Sequence, residues 1–250
     1  MNESRSKKNR RGRSNARQII MTILLLGLMV EIVVAALTSP YFNIKNISVT
    51  GNITIPSKSI IETASIPSET NIFRLQTRRI VDDLLINPVI RRVRLHRKLP
   101  DGLIIAVNER EPDCLLKTPD NAYEIDSAGV PFRVPVKIDE NIPIIIYDLK
   151  QRILLGKQIV DEIFTASRRC IEISRINCPF RIKEITVDQN GDICLNSHDG
   201  FNVKIGRPVD LEHKMDIASQ VVIQIPLFRT TGDYIDVTCP DAPAVKYKNK

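Results

Sequence analysis

The chain is 250 residues long, with 43% hydrophobic and 26% charged residues, a globular composition that allows one or two domains of ordinary size. Ten Gly, fifteen Pro and five Cys exclude a collagen-like, low-complexity or disulfide-stapled chain, and 5% aromatics with no Trp equip it poorly for stacking bases. The formal net charge of +7 is unevenly placed, because the first 18 residues hold seven cations (Arg5, Lys7, Lys8, Arg10, Arg11, Arg13, Arg17) against one acid, Glu3, while the remainder is nearly neutral.

Residues 1–18 read as a disordered basic tail. A nucleic-acid arm, a lipid-binding segment and a flank that sets membrane topology share this composition. The next segment favours the last. In residues 19–37 only Thr22, Gly27 and Glu31 are not apolar. As a helix this run spans about 28 Å at about 1.5 Å per residue, close to the hydrocarbon thickness of about 30 Å. The cations on one side predict a cytoplasmic N-terminus, with everything after Pro40 exported from a single-pass anchor in the cytoplasmic membrane. A cleaved signal peptide is the competing reading, but Val34-Ala35-Ala36-Leu37 offers no A-x-A site. Glu31 either reaches toward the outer headgroups or meets a polar group on a partner's transmembrane helix.

From Phe42 the texture is that of an α+β protein. Phe42, Ile44, Ile47 and Val49 predict a strand that ends at Gly51-Asn52. Pro56 opens a short helix with Ile60, Ile61 and Ala64 inward. A second helix follows from about Leu75 to Ile86, where Ile80 with Leu84 and Val81 with Leu85 form an apolar stripe that Asn87-Pro88 ends. Val89 to Leu99 and Leu103 to Val107 predict a hairpin around Pro100-Asp101-Gly102. The order is β-α-α-β-β. Beyond Glu111-Pro112 short strands dominate, with a hairpin at Asn190-Gly191 and two helices marked by Ile159, Ile163, Ala166, Cys170, Ile173 and by Leu211, Met215, Ala218, Val222, Ile225. Asp233 to Thr238 reads as the last strand, with Pro240, Pro243 and a frayed end after it.

No catalytic constellation assembles. His96, His198 and His213 are scattered, and neither G-x-S-x-G nor a P-loop occurs. Ser4 to Lys7 match S-x-x-K only inside the basic tail. Asp188, Asn190 and Asp192 lack the glycine and glutamate of a calcium loop and read as a solvated turn. The cysteines, Cys114, Cys170, Cys178, Cys194 and Cys239, contain no C-x-x-C, so no metal and no cofactor is expected. The run from Arg91 to Lys98 places Arg92, Arg94 and His96 on one strand face, either simply solvated or a docking face for an acidic partner.

The first half carries the strings Val49-Thr50-Gly51-Asn52, Asn71-Ile72-Phe73, Asn87-Pro88-Val89, Leu99-Pro100-Asp101 and Glu109-Arg110-Glu111-Pro112. The second half carries Tyr123 to Phe132, Ile142-Pro143, Val203-Lys204-Ile205-Gly206 with Lys214, and Tyr234-Ile235-Asp236-Val237. With these strings in this order, the chain resembles the bacterial cell-division proteins FtsQ and DivIB. Asp113-Cys114 and the two prolines after the last strand depart from the pattern. The resemblance implies a transmembrane helix at 19–37, a POTRA domain at 42–111, a β-domain at 112–240 with a mixed sheet and two helices, and a tail at 241–250. It also implies a scaffold, not an enzyme, that binds the small coiled-coil proteins FtsB (DivIC) and FtsL and helps recruit the septal wall synthase at the division septum. Neither nucleic acid nor a small-molecule substrate is expected.

A final strand at a sheet edge offers backbone N–H and C=O groups to an added strand. The predicted partner surface is therefore Tyr234, Ile235, Asp236, Val237, Thr238 and Cys239, extending to Tyr247. Tyr234 is either its aromatic anchor or an ordinary core tyrosine. A POTRA-type chaperone of outer-membrane proteins would need tandem repeats or a barrel. An anchored cell-wall hydrolase would need a clustered carboxylate or nucleophile pair.

Overall fold

The computed structural model describes residues 4–149, 151–225 and 228–248, with side chains from Arg17 onward. The chain divides into two compact units, 1–85 with 92–109, and 86–91 with 110–250.

The first unit opens with helix α1, Ser4–Thr38. Its portion Arg17–Thr38 has mean hydropathy 2.7 and is long and apolar enough to cross a membrane. The helix begins at Ser4, so residues 4–18 do not form the disordered tail expected of them; residues 1–3 lie outside the described part. Arg, Lys and Gln have good helix propensity and no Pro interrupts them, so the apolar helix propagates backward without a new nucleus.

After a 3₁₀ turn at Pro40–Phe42 come β1 (Asn46–Thr50), α2 (Ser57–Ala64), α3 (Thr77–Leu85), β2 (Ile90–Lys98) and β3 (Gly102–Glu109), the expected β-α-α-β-β order. The sheet runs β1-β3-β2, with β1 parallel to β3. Ile80 and Leu84 of α3 are buried with Ile60, Ala64, Leu103 and Ile105, whereas Leu85 is 41% exposed, so only the first of the two predicted pairs faces the core. Gly51 adopts φ +79°, and a Cβ there would lie 2.2 Å from the Val107 carbonyl oxygen, which excludes any other residue at the end of β1.

Glu109, at the end of β3, holds the loop that follows Gly51. Its carboxylate accepts from the Ile53 amide at 2.8 Å, from the amides of Thr54 and Ile55, and from the Thr54 hydroxyl. Burial alone would raise its pKa. The Thr54 hydroxyl and the three amides outweigh that and hold it below the ordinary glutamate value.

The second unit contains β4 (Cys114–Lys117), β5 (Ala122–Ile125), β6 (Pro131–Arg133), β7 (Ile144–Ile146), α4 (Glu162–Ile176), β8 (Ile182–Val187) and β9 (Ile193–Ser197). These are followed by β10 (Asn202–Gly206), α5 (Leu211–Gln224), α6 (Phe228–Thr231), β11 (Gly232–Asp236) and β12 (Ala244–Tyr247). They form one mixed nine-stranded sheet in the order β12-β11-β10-β9-β8-β7-β4-β5-β6. Helices α4 and α5 pack on each other and on β8 and β10. The core between them includes Cys170, Ile171, Ile185, Leu195, Val203, Met215 and Ala218. Asp161 caps α4 by accepting from the Phe164 amide at 2.8 Å. The hairpin expected at Asn190-Gly191 joins β8 and β9, and Asp188 accepts from the amides of Asn190 and Asp192.

A buried ion pair seats the start of this unit. The Arg110 guanidinium bonds the carboxylate of Asp126, which is 1% exposed, and also donates to the Pro88 carbonyl at 3.0 Å. The other oxygen of Asp126 accepts from the amides of Ala128 and Val130 at 2.9 Å each, closing the turn between β5 and β6. Such a pair is tolerable largely out of water because each ion also bonds backbone groups, Arg110 the Pro88 carbonyl and Asp126 two amides.

Candidate functional site

The segment expected to be an open edge is not one. β11 lies between β10 and β12: Tyr234 pairs with Asn202 on one side and Lys246 on the other, and Ile235 with Val203 and Val245. Ile235 and Val237 are fully buried, Thr238 and Cys239 are exposed in the following turn, and the Thr238 amide donates to Asp236 at 3.0 Å. The physical reason is the chain reversal at 239–243. The Ala242 amide donates to the Cys239 carbonyl at 3.1 Å, so Pro240 and Pro243 shape a return instead of ending the sheet. Residues 244–247, expected as frayed tail, become β12.

β12 is therefore the edge. All four of its residues are exposed, and among the described residues it pairs with β11 alone. The opposite end of the sheet is β6, three residues that begin with Pro and bury both Pro131 and Phe132, a blunted edge. β12, Ala244–Tyr247, contains no proline and buries none of its residues. The Lys248 amide donates inward to Thr231 at 2.8 Å, and alternation along the strand then turns the amides of Val245 and Tyr247 away from β11.

Side chains on both faces hold β12 in place. On the helix side Tyr247 packs edge-to-face on Phe228 with ring centres 5.7 Å apart. Phe228 meets Phe201 at 5.4 Å, and Phe201 meets Phe180 at 5.5 Å. An unbroken aromatic row thus runs from the core to the edge strand. On the other face the half-buried Tyr234 ring lies between two ammonium groups, Lys204 at 3.8 Å and Lys246 at 5.5 Å, and Lys246 also pairs with Asp233 at 3.0 Å. The Asp233 hydrogen bond, with its charge, raises the Lys246 pKa. Tyr234 is thus neither a core residue nor a free anchor: it is the platform under Lys246.

Lys214 on α5, 4% exposed, donates its ammonium to the carbonyls of Ile205 at 2.9 Å and Arg207 at 3.0 Å. It fixes the end of β10, the strand on which β11 is laid. Its role, and those of Glu109, Arg110 and Asp126, are not legible in the sequence, although all four stand in the motif strings; a buried partner is not readable from a string.

Arg92, Arg94 and His96 are all exposed on β2, opposite the buried Val93, and no carboxylate lies within ion-pair distance of them among the described residues. Glu31 is exposed on α1 within the apolar span. The predicted site residues therefore fall in three separate places, on β11 and β12, on β2 and on α1. Burial pushes the thiols of Cys114 and Cys170 up to about 12, which makes them inert packing groups. Among the described residues no three of His, Cys, Asp or Glu are placed to hold a metal ion. A cavity of about 410 Å³ in the second unit is lined by Arg175, Arg181, Arg229, His198 and Asp199, together with Ile171, Phe180 and Ile182.

The family model described as POTRA domain, FtsQ-type, matches residues 42–110, and that described as Cell division protein FtsQ/DivIB, C-terminal, matches 115–238. β12 lies just beyond the second match. The chain is 32% identical to Cell division protein DivIB of Clostridium acetobutylicum over 218 residues, 85% of this chain and 86% of that one. It is 25% identical to DivIB of Clostridium botulinum strain Hall over 237 residues, covering 90% and 88%, and 28% identical to Cell division protein FtsQ of Syntrophotalea carbinolica over 225 residues, covering 86% and 79%. With one apolar N-terminal helix, an FtsQ-type POTRA domain and a β-sheet domain in that order, the chain belongs to the FtsQ/DivIB family of cell division proteins.

Proposed function

We propose that this protein is a single-pass scaffold of the division machinery that captures partners by strand addition at β12. The observation that carries the reading is the edge itself: an exposed, singly paired strand at the end of a nine-stranded sheet, braced on both faces. Backbone groups there supply affinity, and the side chains beside them supply selectivity. The occupants proposed are the extracytoplasmic segments of FtsB/DivIC-like and FtsL-like proteins, through which the septal wall synthase is recruited and regulated. The seven N-terminal cations keep the tail in the cytoplasm, and both folded units then act outside the cytoplasmic membrane, enriched at the septum. Arg92, Arg94 and His96 form a second, electrostatic docking face on the POTRA domain. Glu31 contacts a polar group on a partner's transmembrane helix.

The test is a bacterial two-hybrid assay against the FtsB/DivIC-like and FtsL-like proteins of the same organism. Truncation after Ala242, which removes β12 and leaves β11 in place, abolishes the signal. An unchanged signal from a truncated chain that is still produced at normal level removes the edge from the reading.

A further inference from the structure

The apolar run of α1 ends at Leu37, and only Thr38 and Ser39 separate it from the 3₁₀ turn at Pro40–Phe42. No flexible linker intervenes. The last carbonyls of a helix have no partner within it, and here one side chain of the POTRA unit bonds one of them, at Ala36, together with the carbonyl of Ser39 in the exit turn. The buried Asn71 amide donates to the Ala36 carbonyl at 3.0 Å and the Ser39 carbonyl at 3.4 Å. The Ile72 amide donates to Phe42 at 2.9 Å, so the loop carrying Asn71 is itself tied to the exit turn. Arg17–Thr38 as a helix measures about 33 Å, against a hydrocarbon core of about 30 Å. If α1 spans the bilayer, as proposed above, Ala36 and Ser39 lie at headgroup level, and so does whatever bonds to them.

Three exposed apolar side chains stand at this end of the unit. Tyr41 is 65% exposed, Phe73 40% and Leu99 58%. Phe73 follows Ile72 and packs on Phe42 with ring centres 5.2 Å apart. Leu99 sits at the tip of the β2–β3 hairpin, which the Lys45 amide holds through the Asp101 carbonyl at 3.0 Å, beside the start of β1. Exposed cations accompany them. The Arg97 guanidinium donates to the Ile72 carbonyl at 2.9 Å, one residue from the helix-capping Asn71, and Lys45 and Lys98 flank the same tip. Asp101, half-buried, is occupied by the Asn46 amide at 3.3 Å. Apolar and aromatic groups ringed by Lys and Arg at headgroup depth are the chemistry of a membrane interface.

We propose that this end of the POTRA domain is an anionic-lipid-binding surface. Tyr41, Phe73 and Leu99 enter the boundary between headgroups and acyl chains, and Arg97, Lys98 and Lys45 engage lipid phosphates. The domain is then held at a set orientation on the bilayer instead of swinging below a tether.

Because the chain has no Trp, Leu99→Trp is a sole reporter at the tip. A control, Asn108→Trp, lies exposed toward the other end of β3, about 20 Å away at about 3.3 Å per residue. The full chain is reconstituted into vesicles of phosphatidylcholine with or without phosphatidylglycerol, and flotation first scores insertion. Shallow brominated lipid is expected to quench Leu99→Trp at least twofold more than Asn108→Trp, with protection from iodide. Phosphatidylglycerol deepens the quenching, and Arg97→Gln with Lys98→Gln removes that increment. Inorganic phosphate added to the detergent-held chain leaves the emission unchanged, which separates a lipid surface from a free-phosphate site. Floating vesicles in which Leu99→Trp is no more quenched than the control, and equally open to iodide, overturn the surface while sparing the anchor. A chain that does not float overturns the anchor and the surface together.

Discussion

Replacing Tyr247 by Ala isolates the edge strand from the rest of the second unit. The ring is 45% exposed, so about half of it is shielded, chiefly against Phe228. Half of an aromatic side chain that buries roughly 200 Å² is about 100 Å², or about 2.5 kcal/mol at about 25 cal/mol per Å². The edge-to-face contact adds about 1 kcal/mol. Part of this is recovered because freed chain re-buries some surface, which leaves about 2 kcal/mol. The loss falls on the seating of β12, whose four residues are otherwise held by one ladder and the Lys246–Asp233 pair. A partner that adds to β12 must then reseat it, so affinity falls about 30-fold at 1.4 kcal/mol per decade. Global stability changes little, since no β12 residue is in the core. Titration calorimetry with an extracytoplasmic DivIC-like segment measures the affinity, and amide hydrogen exchange at Lys246 and Lys248 measures the seating of β12. Exchange that accelerates at both amides while affinity stays within twofold refutes β12 as the docking edge.

Glu109→Gln is expected to lower the melting temperature of the POTRA unit by about 10 °C at pH 7, taking about 2 kcal/mol for charge-assisted bonds and about 4–8 °C per kcal/mol for a unit of this size. The native carboxyl titrates below its unfolded value of 4.5, so its contribution is present above that pH and is lost as pH falls through the folded value. Calorimetry against pH in both proteins therefore shows their difference shrinking below pH 4.5, and a constant difference contradicts the clamp. Lys214→Met takes the ammonium donor from the Ile205 carbonyl in a buried site, while the Arg207 carbonyl keeps the Val209 amide, and is expected to cost about 1–3 kcal/mol, read from the urea midpoint. Iodoacetamide at pH 8 alkylates the exposed Cys239 of the native chain and spares Cys114 and Cys170; mass spectrometry that finds Cys114 modified as fast as Cys239 contradicts their burial.

Local pattern carried most of the first unit. The i, i+4 pair Ile80 and Leu84, the turn at Pro100-Asp101-Gly102 and the alternation of Val93 with Arg92 and Arg94 are each decided within a few residues, so the β-α-α-β-β order is legible before any contact is known. The apolar span is legible for the same reason. The edge of the second unit is not. Ala244-Val245-Lys246-Tyr247 is short, follows two prolines and has no alternation long enough to count. It becomes a strand because β11 presents an unpaired ladder and Phe228 a ring, both supplied from elsewhere in the chain. The same limit hid Glu109, whose grip on Ile53, Thr54 and Ile55 reaches back more than fifty positions, and left Tyr234 undecided between core and anchor until the lysines on either side were placed.

An edge left open in a sheet of nine strands invites pairing with its own copy as readily as with a partner, unless something selects against it. β12 carries such a selector. Two copies joined edge to edge would bring Lys246 of β12 and Lys248, just beyond it, from each chain close together, where like charges repel. The same lysines, backed by Lys204 across the Tyr234 ring, favour an incoming strand with carboxylates on that face. Val245, 39% exposed on the opposite face beside Tyr247, offers that strand an apolar shelf. On the strand-addition reading proposed above, the surface would discriminate twice, by charge on one side and by greasy contact on the other, while the backbone between them would accept any sequence that meets both conditions.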